Sequence, residues 1–192
     1  MNELHTSAIN RAKELLKNKP FDVYHTFDHH QEVVKNSNEI VKAENLTLKT
    51  ELLEVAAWWH DVFKNNQKEE KLLTQEFSNI GISKIEIKVI LEIISGHSFG
   101  REQQSVEAKL LYDADKIALV SIPRWEYSFR LFDQGKISKE ERDKYIPEWN
   151  RRMPILKDKL NFVYSKHLFR QRHTEFVNWL TIIGRYQDHL MI

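Results

Sequence analysis

Two adjacent ionisable residues, His60 and Asp61, close the apolar stretch LLEVAAWWHDVF. Burying unpaired polar groups costs roughly 1–3 kcal/mol each or more, and a bound cation would offset that cost. Imidazole and carboxylate together suit a borderline or hard divalent ion. Neighbouring helix positions point about 100° apart, so both side chains reach one ion only near a helix end. Taken alone, a His-Asp pair fits a structural role equally well. Two further clusters shift the balance. YHTFDHHQEVV brings His25, Asp28, His29 and His30 close together, with His29 on the same helical face as Val33. His25 and His30 also fit a solvated helix start. LLYDADKIAL sets Asp113 and Asp115 among Leu111, Ala114, Ile117 and Ala118. Asp is a mediocre residue in mid-helix. Either Lys116 or the backbone satisfies these carboxylates, or one of them serves a metal.

The elements that must hold these residues read as helices throughout. Ser7 caps a helix running to about Asn18, and Pro20 stops it. Asp28 caps the next, from His29 to about Ala43. Thr50 opens a third that is apolar on most sides, the mark of a central buried helix, with Asn65 and Asn66 closing it. Lys68 to Ile80 is a surface helix stopped by Gly81. Ser83 and Glu86 form a capping box before IKVILEII, and Gly96 ends that helix. Another runs from Ser105 to about Val120, and Pro123 breaks it or opens its successor. From Arg124 the chain turns aromatic, and Gly135, Pro147 and Pro154 divide it into helical pieces. A last helix is expected from about Thr174 to Leu190. The aromatics there are expected to be core rather than base-stacking residues. No period-2 stretch stands out, so the fold class is all-α: one domain over residues 1–192, with a core of about 20–122 and a C-terminal helical extension of about 123–192.

Bulk composition excludes several functions. Lys and Arg number 29 against 28 Asp and Glu, so the formal charge is only +1. Binding a nucleic-acid polymer calls for a basic surface, and none is expected here. With no cysteine, thiol nucleophiles and Cys-zinc sites are ruled out. The N-terminus lacks an apolar signal core, and no apolar run approaches the ~20 residues of a membrane span. A cytoplasmic protein with no membrane partner is expected.

The order His … His-Asp … Asp on a helical chain resembles the HD superfamily of metal-dependent phosphohydrolases. YHTFDHHQEVV is similar to that family's YHNxxHxxxVV segment, whose second His is the first metal ligand, which implies His29. AAWWHDVFK resembles AALLHDxxK and implies His60 and Asp61. EAKLLYDADKIAL resembles the family's DADK/R stretch, whose second Asp is the fourth ligand, which implies Asp115 and leaves Asp113 a structural neighbour. The spacings fit, with 31 residues from His29 to His60 and 54 from Asp61 to Asp115. The likeness covers about residues 20–122. Thr26 departs from the usual Asn, and Trp58 and Trp59 stand where small aliphatics are common.

The resemblance implies an HD-type helical bundle and hydrolysis of a phosphoester, on a nucleotide or another small phosphorylated molecule. It implies a divalent cofactor, which manganese, iron, nickel, cobalt and magnesium all fit. Asp61 or Asp115 would orient water. His97, in GHSFG, is a general acid or substrate contact, or else an exposed loop histidine. Lys116 is the favoured cation for a phosphate oxygen, with Lys64, Arg101 and Arg124 behind it. Hydrolysis of a nucleotide second messenger, a non-catalytic metal or nucleotide sensor and a helical interaction protein stay open as alternatives, as does a homo-oligomer.

Overall fold

In the computed structural model, residues 2–18, 25–48, 50–64, 66–140 and 146–186 are described. They form nine helices and no strand. These are α1 (Glu3–Asn18), α2 (Phe27–Ala43), α3 (Thr50–Trp59), α4 (Glu69–Ile80), α5 (Lys84–Gly96), α6 (Val106–Ala118), α7 (Ile122–Asp133), α8 (Ile146–Lys159) and α9 (Val163–Ile182). The all-α expectation holds. No helix among the described residues is long and apolar enough to cross a membrane.

The apolar character of α3 explains its place. Leu53, Val55, Ala56, Ala57, Trp58 and Trp59 are all buried, and the helix packs against α1, α2, α5 and α6. Its tryptophans anchor it to neighbours. Trp59 donates its indole N–H to the Ala8 carbonyl of α1 at 3.0 Å and lies edge-on to Phe77 of α4. Trp58 packs on Phe27 at the start of α2, and the Lys13 ammonium of α1 lies over its ring, 4.6 Å from the centroid. Beside α3, helices α2 and α6 pack along each other. Asn36 of α2 donates to the Ala114 carbonyl of α6 at 3.1 Å, which pins their register.

The C-terminal helices pack onto this pair. α9 touches α2, α6 and α8. Trp125 and Phe129 of α7 meet Phe176 and Trp179 of α9, with Phe129 and Trp179 stacked 5.8 Å apart. Phe176 is buried. These aromatics are core, as expected.

Several boundaries differ from expectation, each for a local reason. Ser7 lies inside α1, which starts at Glu3; the carboxamide of Asn2 accepts the His5 N–H at 2.8 Å in its place. Thr26, not Asp28, caps α2: its hydroxyl accepts the His29 N–H at 3.2 Å, and Asp28 is exposed in the first turn. Pro154 sits within α8 instead of dividing the chain. The last helix begins at Val163, well before Thr174, and stops at Ile182, with Gly184 just beyond at φ 69°. Gly81, Ser83, Ser105 and Pro123 act as expected, and Gly81 takes the left-handed conformation at φ 95° that other residues adopt only with strain. Pro20, Tyr24, Asn65, Tyr145 and the stretch to Leu190 lie outside the described residues.

Candidate metal centre

α3 ends at Trp59, so His60 and Asp61 occupy the turn that follows it. Off the helix, adjacent side chains are released from the 100° divergence that would separate them. His29 projects from the first turn of α2, and Asp115 from α6. His29, His60, Asp61 and Asp115 are all buried, and one ligand atom from each lies within 4.8 Å of the others. His29 Nε2 is 3.2 Å from His60 Nε2 and 3.4 Å from Asp115 Oδ1. His60 Nε2 is 3.5 Å from Asp61 Oδ2 and 3.8 Å from Asp115 Oδ1.

The donor chemistry fits a divalent cation. His60 Nδ1 donates to the Ala57 carbonyl at 2.8 Å. A neutral ring so fixed must aim the Nε2 lone pair inward, toward two carboxylates. Burial keeps both rings neutral: it pushes His60 well below the usual range, and pushes His29, with Arg124 adding to the effect, down to about 4. Lone pairs and carboxylate oxygens facing one another in a buried site repel unless a cation stands between them. Burial alone would raise Asp61 and Asp115, but their polar neighbours hold both well below the ordinary range. For Asp61 these neighbours are His60, His97 and Lys64. Because His60 is neutral, the Lys64 ammonium, 2.8 Å from Asp61 Oδ2, is the lasting cationic partner. For Asp115 it is Lys116, 2.5 Å away.

Around this core, His97 follows α5 and is buried rather than exposed. Its Nε2 meets Asp61 Oδ1 at 3.1 Å while Nδ1 meets the Ile94 carbonyl. Both ring nitrogens thus lie within hydrogen-bond distance of oxygen atoms. Lys116 spends two of its three donors on Asp115 and on the His97 carbonyl at 2.9 Å, tying the loop to α6. Arg101 is exposed. His25 Nε2 reaches within 3.6 Å of Asp61 Oδ2, and His30 is fully buried against the ring of His60. Both fit solvated positions by sequence; their neighbours come from other elements. Arg124 of α7, a weak candidate by sequence, lies 3.4 Å from His29 Nδ1. No local signal marks it, because α7 reaches α2 only through the tertiary fold.

Asp113 faces the other way. Two helix positions turn the chain about 200°, so Asp115 points at the cluster and Asp113 at α9. Asp113 accepts from the Asn161 backbone N–H at 2.9 Å, the Asn161 carboxamide at 2.9 Å and the Phe162 N–H at 3.0 Å.

A family model for the HD domain matches residues 26–119. Among solved structures, a Lactobacillus plantarum protein aligns with a TM-score of 0.69 at 22% identity, covering 95% of this chain and 96% of that one. A Listeria innocua protein aligns at 0.66 and 21% identity, covering 99% of both chains. Bacillus subtilis YpgQ, solved in complex with ADP, aligns at 0.67 and 20% identity, covering 97% of this chain and 94% of its own. At these identities the likeness is one of fold. No curated protein matches the sequence. The matched segment opens at the Thr26 cap of α2 and closes just past α6, so it contains all four converging residues, and the chain is an HD domain protein.

Proposed function

We propose that this protein is a metal-dependent phosphohydrolase acting on a phosphoester of a nucleotide or another small phosphorylated molecule. The observation that carries this reading is the buried convergence of His29, His60, Asp61 and Asp115. These four would hold a divalent ion. Bound there, the ion would supply charge that polarises a phosphoryl oxygen and acidifies a water. The chain's own residues do the rest. Asp61 and Asp115 accept hydrogen bonds from that water and orient it. His97, flanked by two acceptors, carries the proton that a leaving oxygen needs. Lys116 keeps one donor for a phosphate oxygen while its other two fix Asp115 and the His97 loop.

The nucleotide part of the reading draws support from YpgQ, which shares the fold and was solved with ADP. We also take residues 1–192 to work as one unit, because α9 packs on both ligand-bearing helices.

The test is phosphate release from a panel of nucleoside mono-, di- and triphosphates, cyclic nucleotides and polyphosphorylated nucleotides. Wild type and Asp61→Ala are stripped and reloaded with manganese, nickel, cobalt or magnesium. Metal-dependent turnover that vanishes in Asp61→Ala supports the enzyme. Bound metal without turnover on any member points to a sensor. No metal uptake removes the site altogether.

A further inference from the structure

The C-terminal layer reaches the rim of the cluster through α8. The Arg152 guanidinium lies over the ring of Phe99, 4.6 Å from its centroid, and its charge also reaches Tyr112 of α6. Lys116 holds its ammonium over that tyrosine ring at 5.1 Å while donating to Asp115 and to the His97 carbonyl. Phe99 stands two residues beyond His97 in the same loop. A continuous path therefore runs from Asp115 through Lys116 and Tyr112 to Arg152 and Phe99. Its makeup differs from that of the edge beside Asp61. There the neighbours are Lys64 and His25, both polar; here two aromatic rings and a guanidinium follow Lys116.

Phe99 is half-buried and packs against the core, so it braces the guanidinium from one side. Arg152 is itself half-buried. Stacking uses the flat face of a guanidinium, whereas hydrogen bonds use its edge. Partners bonded at the edge of Arg152 therefore do not compete for its face. An aliphatic side chain would cover Phe99 equally well; a guanidinium adds a planar cationic surface, which suits an electron-rich heterocycle. A phosphate held by Lys116 would set whatever it is esterified to beside this surface. α8 lies outside the segment matched by the HD model, so the C-terminal layer adds this surface to the HD core.

We propose that Arg152, braced on Phe99, is the stacking platform for the nucleobase of the substrate. It is thus a specificity-determining residue, separating nucleotides from phosphate esters that carry no base. The proposal rests on the reading of the cluster as a metal-dependent phosphohydrolase site with Lys116 on the phosphate. It gives Arg152 a signature that a purely structural arginine would lack: its loss weakens the base-bearing ligand and spares the bare phosphate chain.

The experiment is rapid ultrafiltration of labelled ADP and of labelled pyrophosphate with manganese-loaded protein, for wild type, Arg152→Ala, Arg152→Lys and Phe99→Leu. The two probes carry the same number of phosphorus atoms and differ by the nucleoside. Wild type is expected to bind ADP more tightly than pyrophosphate. Arg152→Ala should bind ADP about tenfold more weakly, the loss of one stacked base, with pyrophosphate nearly unchanged. Arg152→Lys keeps the charge without the plane and should be as weak for ADP. Phe99→Leu removes the brace, should shift ADP in the same direction, and serves as the readout should Arg152→Ala fail to fold. Equal weakening of both probes in Arg152→Ala, or ADP affinity restored by Arg152→Lys, overturns the proposal. Wild type that holds manganese yet binds ADP no better than pyrophosphate overturns it too, and leaves the metal reading standing. Wild type that takes up no manganese sinks both.

Discussion

The segment from α2 to α6 and the layer from α7 to α9 are held together by opposite means. The first buries charge: His29, His30, His60, Asp61, His97, Asp113, Asp115 and Lys116 are all nearly inaccessible. His29, His60, Asp61, His97, Asp115 and Lys116 face one another, so removing one strands its neighbours, whereas Asp113 is satisfied by the start of α9. The second is joined by stacked aromatics and a few polar anchors at its edges. Chemistry lives where polar groups are concentrated and costly. Stability can be supplied from elsewhere by apolar packing, which does not care about protonation.

That contrast can be broken from either side. The largest effect is expected from Asp61→Ala, which should lower metal affinity and turnover by roughly a thousandfold or more and is read by dialysis and phosphate release. Phe176→Ala should cost about 3–5 kcal/mol of unfolding free energy by cavity formation. Whatever fraction stays folded should bind metal normally, which denaturant titration and dialysis together would show.

Acid probes the first region selectively. Burial, with the Arg124 charge adding to it, pushes His29 down from the ordinary 6.5 to about 4. The unfolded chain therefore takes up protons first as pH falls from about 6.5 toward 4, and stability is lost across that window. His29 alone accounts for about 3 kcal/mol by pH 4, with His30, pushed down by burial to about 3, adding to the slope. Denaturant midpoints measured from pH 7 to pH 4 check this. A flat profile would mean that these rings are not buried neutral.

Asp113→Ala should cost about 2 kcal/mol through loss of its bonds to the start of α9. Metal affinity should stay near wild type, which separates Asp113 from Asp115 only two positions away. The smallest effect belongs to Thr26→Ala, at about 1 kcal/mol for a lost cap, while Thr26→Asn should be nearly neutral. Thermal unfolding of the pair decides it.

Those last residues also show what the sequence makes legible. Caps such as Ser83 and Ser105 act within four residues, so local reading finds them. α9 was expected eleven positions late because its first turn carries no capping side chain of its own; the carboxylate that meets it belongs to Asp113, 48 residues upstream. His60, Asp61 and Asp115 are readable because each interrupts an apolar stretch where a charge needs a reason, and His29 because it shares a helical face with Val33 in a segment that resembles a family motif. The sequence ranks Arg124 only as a weaker candidate and leaves His25 and His30 as solvated positions, since their place beside the cluster depends on neighbours distant in sequence. Thr26 looked like a departure from a motif and turned out to do the job of a cap.

The grip of α9 on α2 has a consequence for how the chain is made. Arg172 donates to Glu32 and Asn36, contacts that span 140 and 136 residues, and the Tyr164 N–H donates to Glu44 across 120. At ribosomal speeds, contacts this distant wait on the order of ten seconds between synthesis of their first and second partners. Throughout that interval the nascent chain carries its histidines and aspartates without the brace that seats α2. The proposed metal site therefore has all four of its ligands long before it has the contacts that α9 adds to α2.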